Sequence, residues 1–156
     1  MQQEKNKTKL YTAVSWSLTV ICMAVIFWLS SRTSAESSEQ SGVILEWLIT
    51  HFGDGVFTDF IVRKSAHCLE YTGLALLMNI SLYFSKNKLS PLPAIALTSA
   101  YAVTDEIHQL FVEGRSCQPA DWAIDTLGAA VGTATFLLIW LIINAYTKKR
   151  IDSKNN

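Results

Sequence analysis

The chain carries no net charge: 13 Lys and Arg balance 13 Asp and Glu. Global charge therefore supports no nucleic-acid partner and no general attraction to acidic or basic surfaces. Cysteine is scarce, and Cys22, Cys68 and Cys117 lack the paired spacing of a metal site. A Cys68–Cys117 bridge stays open on paper, with two idle thiols the simpler reading. There is no Gly-x-Ser-x-Gly elbow, no His-Glu-x-x-His helix and no glycine-rich phosphate loop. Above all, charge is missing from long stretches. Residues 10–31 run for 22 positions without a charged side chain, 89–104 for 16, and 71–85 for 15.

These runs, in a chain that is 50% hydrophobic, predict an all-α fold: a transmembrane bundle of four helices rather than a soluble domain. The expected spans are about 10–31, 66–85, 92–111 and 122–146. The first is too long for the apolar part of a cleaved signal peptide, so a retained helix is expected despite Thr33-Ser34-Ala35. The second and third have charge-free parts too short to cross a bilayer. His67 and Glu70 must then lie in the first turns of one helix, and Asp105, Glu106 and His108 in the last turns of the other. In the first outer loop, 37–41 reads as a flexible start and 42–52 as a short interfacial helix or a loop packed on the bundle. Gly53-Asp54-Gly55 reads as a turn.

Lysines set the orientation. The segment 1–9 with Lys5, Lys7 and Lys9, the Lys86/Lys88 loop, and the tail 148–156 with Lys148, Lys149, Arg150 and Lys154 are all basic. The positive-inside rule places them in the cytoplasm, flanking a membrane domain over 10–147. Lys64, His67, Glu70, Asp105, Glu106, His108, Gln109, Arg115, Asp121 and Asp125 then all fall at the outer-leaflet level. The inner halves of the spans read as nearly all apolar, which argues against an ion or proton path.

Residues three or four apart share a helix face. Lys64, His67, Glu70 and Tyr71 form one polar stripe. Asp105, His108 and Gln109 form a second, with Glu106 turned about 100° from Asp105. Asp121, Asp125, Gly128 and Gly132 form a third, whose small-xxx-small spacing lets another helix approach closely. Ionisable groups inside a membrane are costly and mark a working site when they converge. His67, Glu70, Asp105 and Glu106 are the candidate acid–base residues. Lys64, Gln109, Arg115 and Asp121 are the candidates for holding a ligand, with Arg115 suited to a phosphate or carboxylate. His67, Glu70, Asp105 and Asp121 are candidate ligands for a divalent cation. Each has a structural alternative: a His67–Glu70 clamp, or Lys64 and Arg115 bridged to the carboxylates. Carboxylates exceed fixed cations in the cluster, so carboxyl groups retain protons, histidine is charged, or a cation binds; the sequence selects none of these.

The order Arg63-Lys64-x-x-His67-x-x-Glu70-Tyr71, Asp105-Glu106-x-His108-Gln109-x-Phe111, Gly114-Arg115, Asp121 and Gly128-x-x-x-Gly132 resembles the VanZ-like family over roughly 62–140. The resemblance implies a small multi-span bacterial membrane protein of the cell envelope, tied to teicoplanin-type glycopeptide tolerance. It implies membrane lipids, and lipid-linked or cell-wall material, as partners. Asp125 stands where the resemblance leads one to expect Asn, and Glu113 where it leads one to expect Pro. A non-catalytic accessory or lipid-binding bundle, its polar network serving as a lock, is the competing expectation.

Overall fold

The computed structural model describes residues 2–155, with side chains through 153, so the side chain of Lys154 in the basic tail lies outside the described residues. The described chain is wholly helical: α1 (Gln2–Ser30), α2 (Ser34–Phe52), α3 (Asp59–Lys86), α4 (Pro91–Gln109) and α5 (Pro119–Asn155). Two of these, α1 and α5, are long and apolar enough to cross a membrane.

Several boundaries differ from expectation, each for a local reason. The first helix starts at Gln2 rather than near Leu10, since the lysine-rich segment continues it as an exposed turn and more. The flexible start expected at 37–41 is helical. Thr33 and Glu36 form a capping box: the Thr33 hydroxyl accepts from the Glu36 N–H (3.3 Å) and the Glu36 carboxylate accepts from the Thr33 N–H (2.9 Å). Those bonds from the Thr33 backbone, then from its side chain, hold the Glu36 carboxyl below its ordinary value. The third helix begins at Asp59, seven residues before the expected start, because the Thr58 hydroxyl caps the Ile61 N–H (3.2 Å). Asn87 ends it in the left-handed region (φ 50°). Pro91 opens α4 at its first turn. That helix stops at Gln109, leaving Leu110 and Phe111 in the following turn. The fifth helix carries on through the basic segment expected as a separate tail.

At about 1.5 Å per residue, α3 is about 42 Å long and α5 about 55 Å, longer than a hydrocarbon core of about 30 Å. The central helix is α3, which packs against each of the other four. Its partner α5 runs parallel to it along its length: Lys64 meets Asp121, Thr72 meets Gly128, and Asn79 meets Thr133. The expected glycine face makes this contact. A Cβ at Gly128 would strike the Cys68 carbonyl oxygen, and one at Gly132 the Thr72 carbonyl oxygen. With hydrogen in those places, the Thr72 hydroxyl donates to the Cys68 carbonyl (2.7 Å) and sits 3.1 Å from the Gly128 carbonyl.

Helix α1 runs antiparallel to α3 and buries Ser15, Thr19, Ile26 and Ser30 along one stripe. Tyr101 of α4 donates to the Met23 carbonyl (2.7 Å) and ties α4 to α1. More buried residues are polar than apolar among the described residues, while Leu18, Ile21, Val25, Leu138, Ile142 and many others lie exposed. This inversion suits a hydrocarbon surround, where apolar burial drives nothing and hydrogen bonds join helices. It also corrects the expectation of an apolar inner half. Thr19 and Ser81 share a hydrogen bond (2.9 Å), and the Asn79 amide donates to Thr133 (2.9 Å). These groups are uncharged, so they bind helices without extending a line of charges.

Candidate functional site

The end of the fold that gathers Ser30, the start of α3, the end of α4 and the start of α5 carries the charged groups. Asp125 is 0% exposed, Asp105 2%, Glu106 3% and Asp121 8%. Asp121 and one oxygen of Asp105 have clear partners. Lys64 donates to Asp121 in an ion pair. Asp105 Oδ2 accepts from the Ser30 hydroxyl (2.6 Å) and from Gln109 Nε2 (3.4 Å), and Gln109 donates to Ser30 as well (3.1 Å). This triangle fastens α4 to the end of α1. Glu106, turned away from Asp105 as expected, accepts from the Gln118 N–H (2.8 Å) in the α4–α5 loop.

The remainder is less settled. Asp105 Oδ1, Glu106 Oε1, both oxygens of Asp125, His67 Nδ1 and the Tyr71 hydroxyl are buried without a hydrogen-bond partner among the described residues. Leaving such atoms unpartnered costs about 1–3 kcal/mol each. His67 Nδ1 lies 3.9 Å from both Glu70 Oε2 and Asp125 Oδ1. That is beyond hydrogen-bond reach, so the imidazole stands between two carboxyl groups rather than clamped to one.

His108 does not join this group. Its ring stacks on Phe27 (4.2 Å between centroids) and its Nε2 lies 3.0 Å from the Ser31 hydroxyl, which makes it a tie to α1. The candidate cation ligands do not converge either. Among the described residues, no three His, Cys, Asp or Glu side chains come together as an ion-holding set. Asp121 is engaged by Lys64, and Asp105 by Ser30 and Gln109, so the four candidates are split between three helices and two networks. All three cysteines are free thiols.

Two cavities open at this end. One, of about 210 Å³, lies between α1, α2 and α3, and the other, of about 250 Å³, lies between α3 and the α4–α5 loop. Arg63, His67 and Arg115 border both. Glu70 borders the first, while Lys64, Gln109 and Asp121 border the second. Asp105, Glu106 and Asp125 lie behind the walls. Arg115 is placed by the turn at Gly114 (φ 73°), whose Cβ position touches the Ser34 side chain at 3.0 Å. The Ser34 N–H donates to the Glu113 carbonyl (3.2 Å), joining that loop to α2. Burial first, and neighbouring Arg63 second, hold the Arg115 guanidinium below its ordinary value, with Asp105, Glu70 and Glu106 acting the other way.

Ser30 and Arg63 were not among the expected site residues, and α2 was expected only as a short interfacial helix or packed loop over 42–52, not as a wall of the site. Ser30 closes an apolar run and shows no distinguishing pattern. Arg63 precedes Lys64 in the motif but reads as a loop cation. The Thr33-x-x-Glu36 capping box starts α2 at Ser34 and so adds Ser37 to the wall that Ile44 continues.

Asp125 is wholly buried and neither of its oxygens has a hydrogen-bond partner among the described residues. An ionised carboxylate there would sit buried with no hydrogen bond, and Asn has the same shape without the charge. Asp125→Asn is expected to leave the thermal unfolding midpoint in detergent unchanged or raise it. A marked fall would show that the charge itself is held by a partner.

Among curated proteins and solved structures, no match was found. The VanZ/LLP1 family model matches residues 15–142, which runs from the middle of α1 through most of α5 and takes in every residue of the cluster. The chain belongs to the VanZ/LLP1 family.

Proposed function

We propose that the chain is a four-span membrane protein of the bacterial cell envelope, with both termini cytoplasmic and α2 lying at the outer interface. In this reading α1, α3, α4 and α5 cross the cytoplasmic membrane, and the charged end faces the outer leaflet. It acts there on lipid-linked or cell-wall material and contributes to glycopeptide tolerance of the teicoplanin type. Family membership supports the coarser part, a membrane protein linked to teicoplanin resistance. The lysine-rich ends and the Lys86/Lys88 loop support the orientation.

The observation that carries the site is His67 between Glu70 and Asp125, bordering the same two cavities as Arg115. An imidazole flanked by carboxyl groups can move a proton, and a guanidinium beside it can hold an anionic group. His67 and Glu70 are placed to act on a ligand directly. Asp105 and Glu106 lie behind the walls and would act by positioning. Lys64, Gln109, Arg115 and Asp121 border the second cavity, where a ligand would touch them.

The competing reading is an accessory bundle without catalysis. The Lys64–Asp121 pair and the Ser30–Asp105–Gln109 triangle favour it, since both join helices. Teicoplanin tolerance of cells producing Glu70→Gln, His67→Gln or Arg115→Gln separates the two. Tolerance is expected to fall to the level of cells lacking the protein, with amounts in the membrane unchanged. Full tolerance in all three, at normal abundance, would eliminate the site as the working part.

A further inference from the structure

We propose that the cleft takes a phosphate-headed amphiphile, its head against Arg115 and Arg63 and its hydrocarbon chain between α1 and α2. This names a ligand class for the site and rests on the reading of that site as one that meets lipid-linked material at the outer leaflet.

The two cavities meet at Arg63, His67 and Arg115 and differ in character. The one bounded by Leu29, Ile44, Val62 and Ala66 is walled mostly by apolar surface, whereas the one bounded by Lys64, Ser116, Gln118 and Asp121 is mostly polar. Helices α1 and α2 do not pack against each other, since α3 is the one helix that α2 rests on among the described residues. The apolar lobe therefore opens sideways between them, past Ile44, which is 51% exposed. A compartment with a polar end and a lateral apolar exit matches a molecule with a charged head and an oily tail.

The cations at the junction select the sign of the head. Lys64 is held by Asp121, and Arg63 has Asp59 at 3.9 Å, the limit of an ion pair. Among the described residues, Arg115 has no carboxylate within ion-pair distance. Its Nε–H donates to the Arg32 carbonyl (3.0 Å), which fixes the plane of the guanidinium. Half-buried, next to a second arginine and oriented in advance, this group is complementary to an anion. A carboxylate has two coplanar oxygens, which one guanidinium fork occupies. A phosphate has oxygens in three directions and accepts from both Arg115 and Arg63 at once. Gly114 and the Ser34–Glu113 hydrogen bond hold the arginine loop against α2, so head lobe and chain lobe share one support.

The test is calorimetric titration of the purified full-length protein in a neutral maltoside detergent. The probes are dodecyl phosphate, inorganic phosphate and dodecyltrimethylammonium. Dodecyl phosphate is expected to bind at least about tenfold more tightly than either of the others. Arg115→Gln is expected to weaken it by about 10- to 100-fold, the loss of charge-assisted hydrogen bonds, and Arg63→Gln by a smaller factor. Ala66→Phe, at an exposed position in the apolar lobe, is expected to weaken dodecyl phosphate while leaving inorganic phosphate unaffected. Equal affinity for inorganic phosphate would overturn the chain lobe and point to a free anion as the ligand. Equal affinity for the cationic amphiphile, or indifference to both arginine substitutions, would overturn the head assignment. If dodecyl phosphate fails to bind while Glu70→Gln still abolishes tolerance, the ligand class is wrong and the functional reading stands. If binding behaves as expected but no site variant alters tolerance, the ligand class stands and the functional reading fails.

Discussion

Gly132→Ala is expected to lower the unfolding midpoint of the protein in detergent, and Gly128→Ala to do the same. Both changes put a methyl group against backbone, not against a side chain that can swing away. At Gly132 the Cβ would collide with the Thr72 carbonyl oxygen and lie 3.1 Å from the Ala75 methyl; at Gly128 it would collide with the Cys68 carbonyl oxygen. The helices α3 and α5 must therefore separate along their length. Overpacking of this kind costs about 1–3 kcal/mol, and alanine's better helix propensity returns at most about 1 kcal/mol. The separation would also lengthen the 3.1 Å approach of the Thr72 hydroxyl to the Gly128 carbonyl. Gly73→Ala is the internal control. Gly73 lies in α3 with nothing within 4 Å of its Cβ position, so only the propensity gain remains and the midpoint should hold or rise. Equal behaviour of all three variants would mean that α3 and α5 do not approach through this face.

The second large effect is expected from Lys64→Met. It leaves Asp121, which is 8% exposed, without its cation beside Asp125 and Glu106. Removing one partner of a buried ion pair costs about 3–5 kcal/mol, mostly as the penalty on the charge left behind. Asp121→Asn should cost less, because the lysine stem is long enough to carry its ammonium toward water. The double variant Lys64→Met/Asp121→Leu is expected to recover much of the loss, giving strong coupling in a double-mutant cycle. Additive effects would show that the pair does not join α3 to α5. The recovered double variant also divides the two functional readings. A structural lock needs only the helices held, so tolerance would survive; a ligand-binding role needs the charges, so tolerance would be lost.

Much of this site could be read from the chain because membrane burial is expensive. Lys64, His67, Glu70, Asp105, Glu106 and Asp121 stand beside charge-free runs, and such groups must be turned inward at a common depth. Periodicity placed the Gly128/Gly132 face correctly, since a helix repeats its faces without reference to its neighbours. Helix ends were read less well. The starts of α2 and α3 depend on Thr33 and Thr58 hydroxyls, whose capping bonds are local but leave no mark in hydropathy.

Composition and spacing by themselves determined a helical chain with apolar faces outward, its buried carboxylates and His67 gathered at one end and a surplus of lysines at the other. Only the tertiary structure decided which of those residues satisfy one another. It sent His108 to Phe27 and Ser31, gave Asp105 to Ser30, and, among the described residues, left both Asp125 oxygens without a hydrogen bond and Arg115 without a carboxylate. The physical reason is that a helical stripe specifies direction to within a turn, whereas a hydrogen bond needs two atoms from different helices within about 3 Å. That distance is set by how closely the helices cross, here by two glycines, and not by any residue of the site.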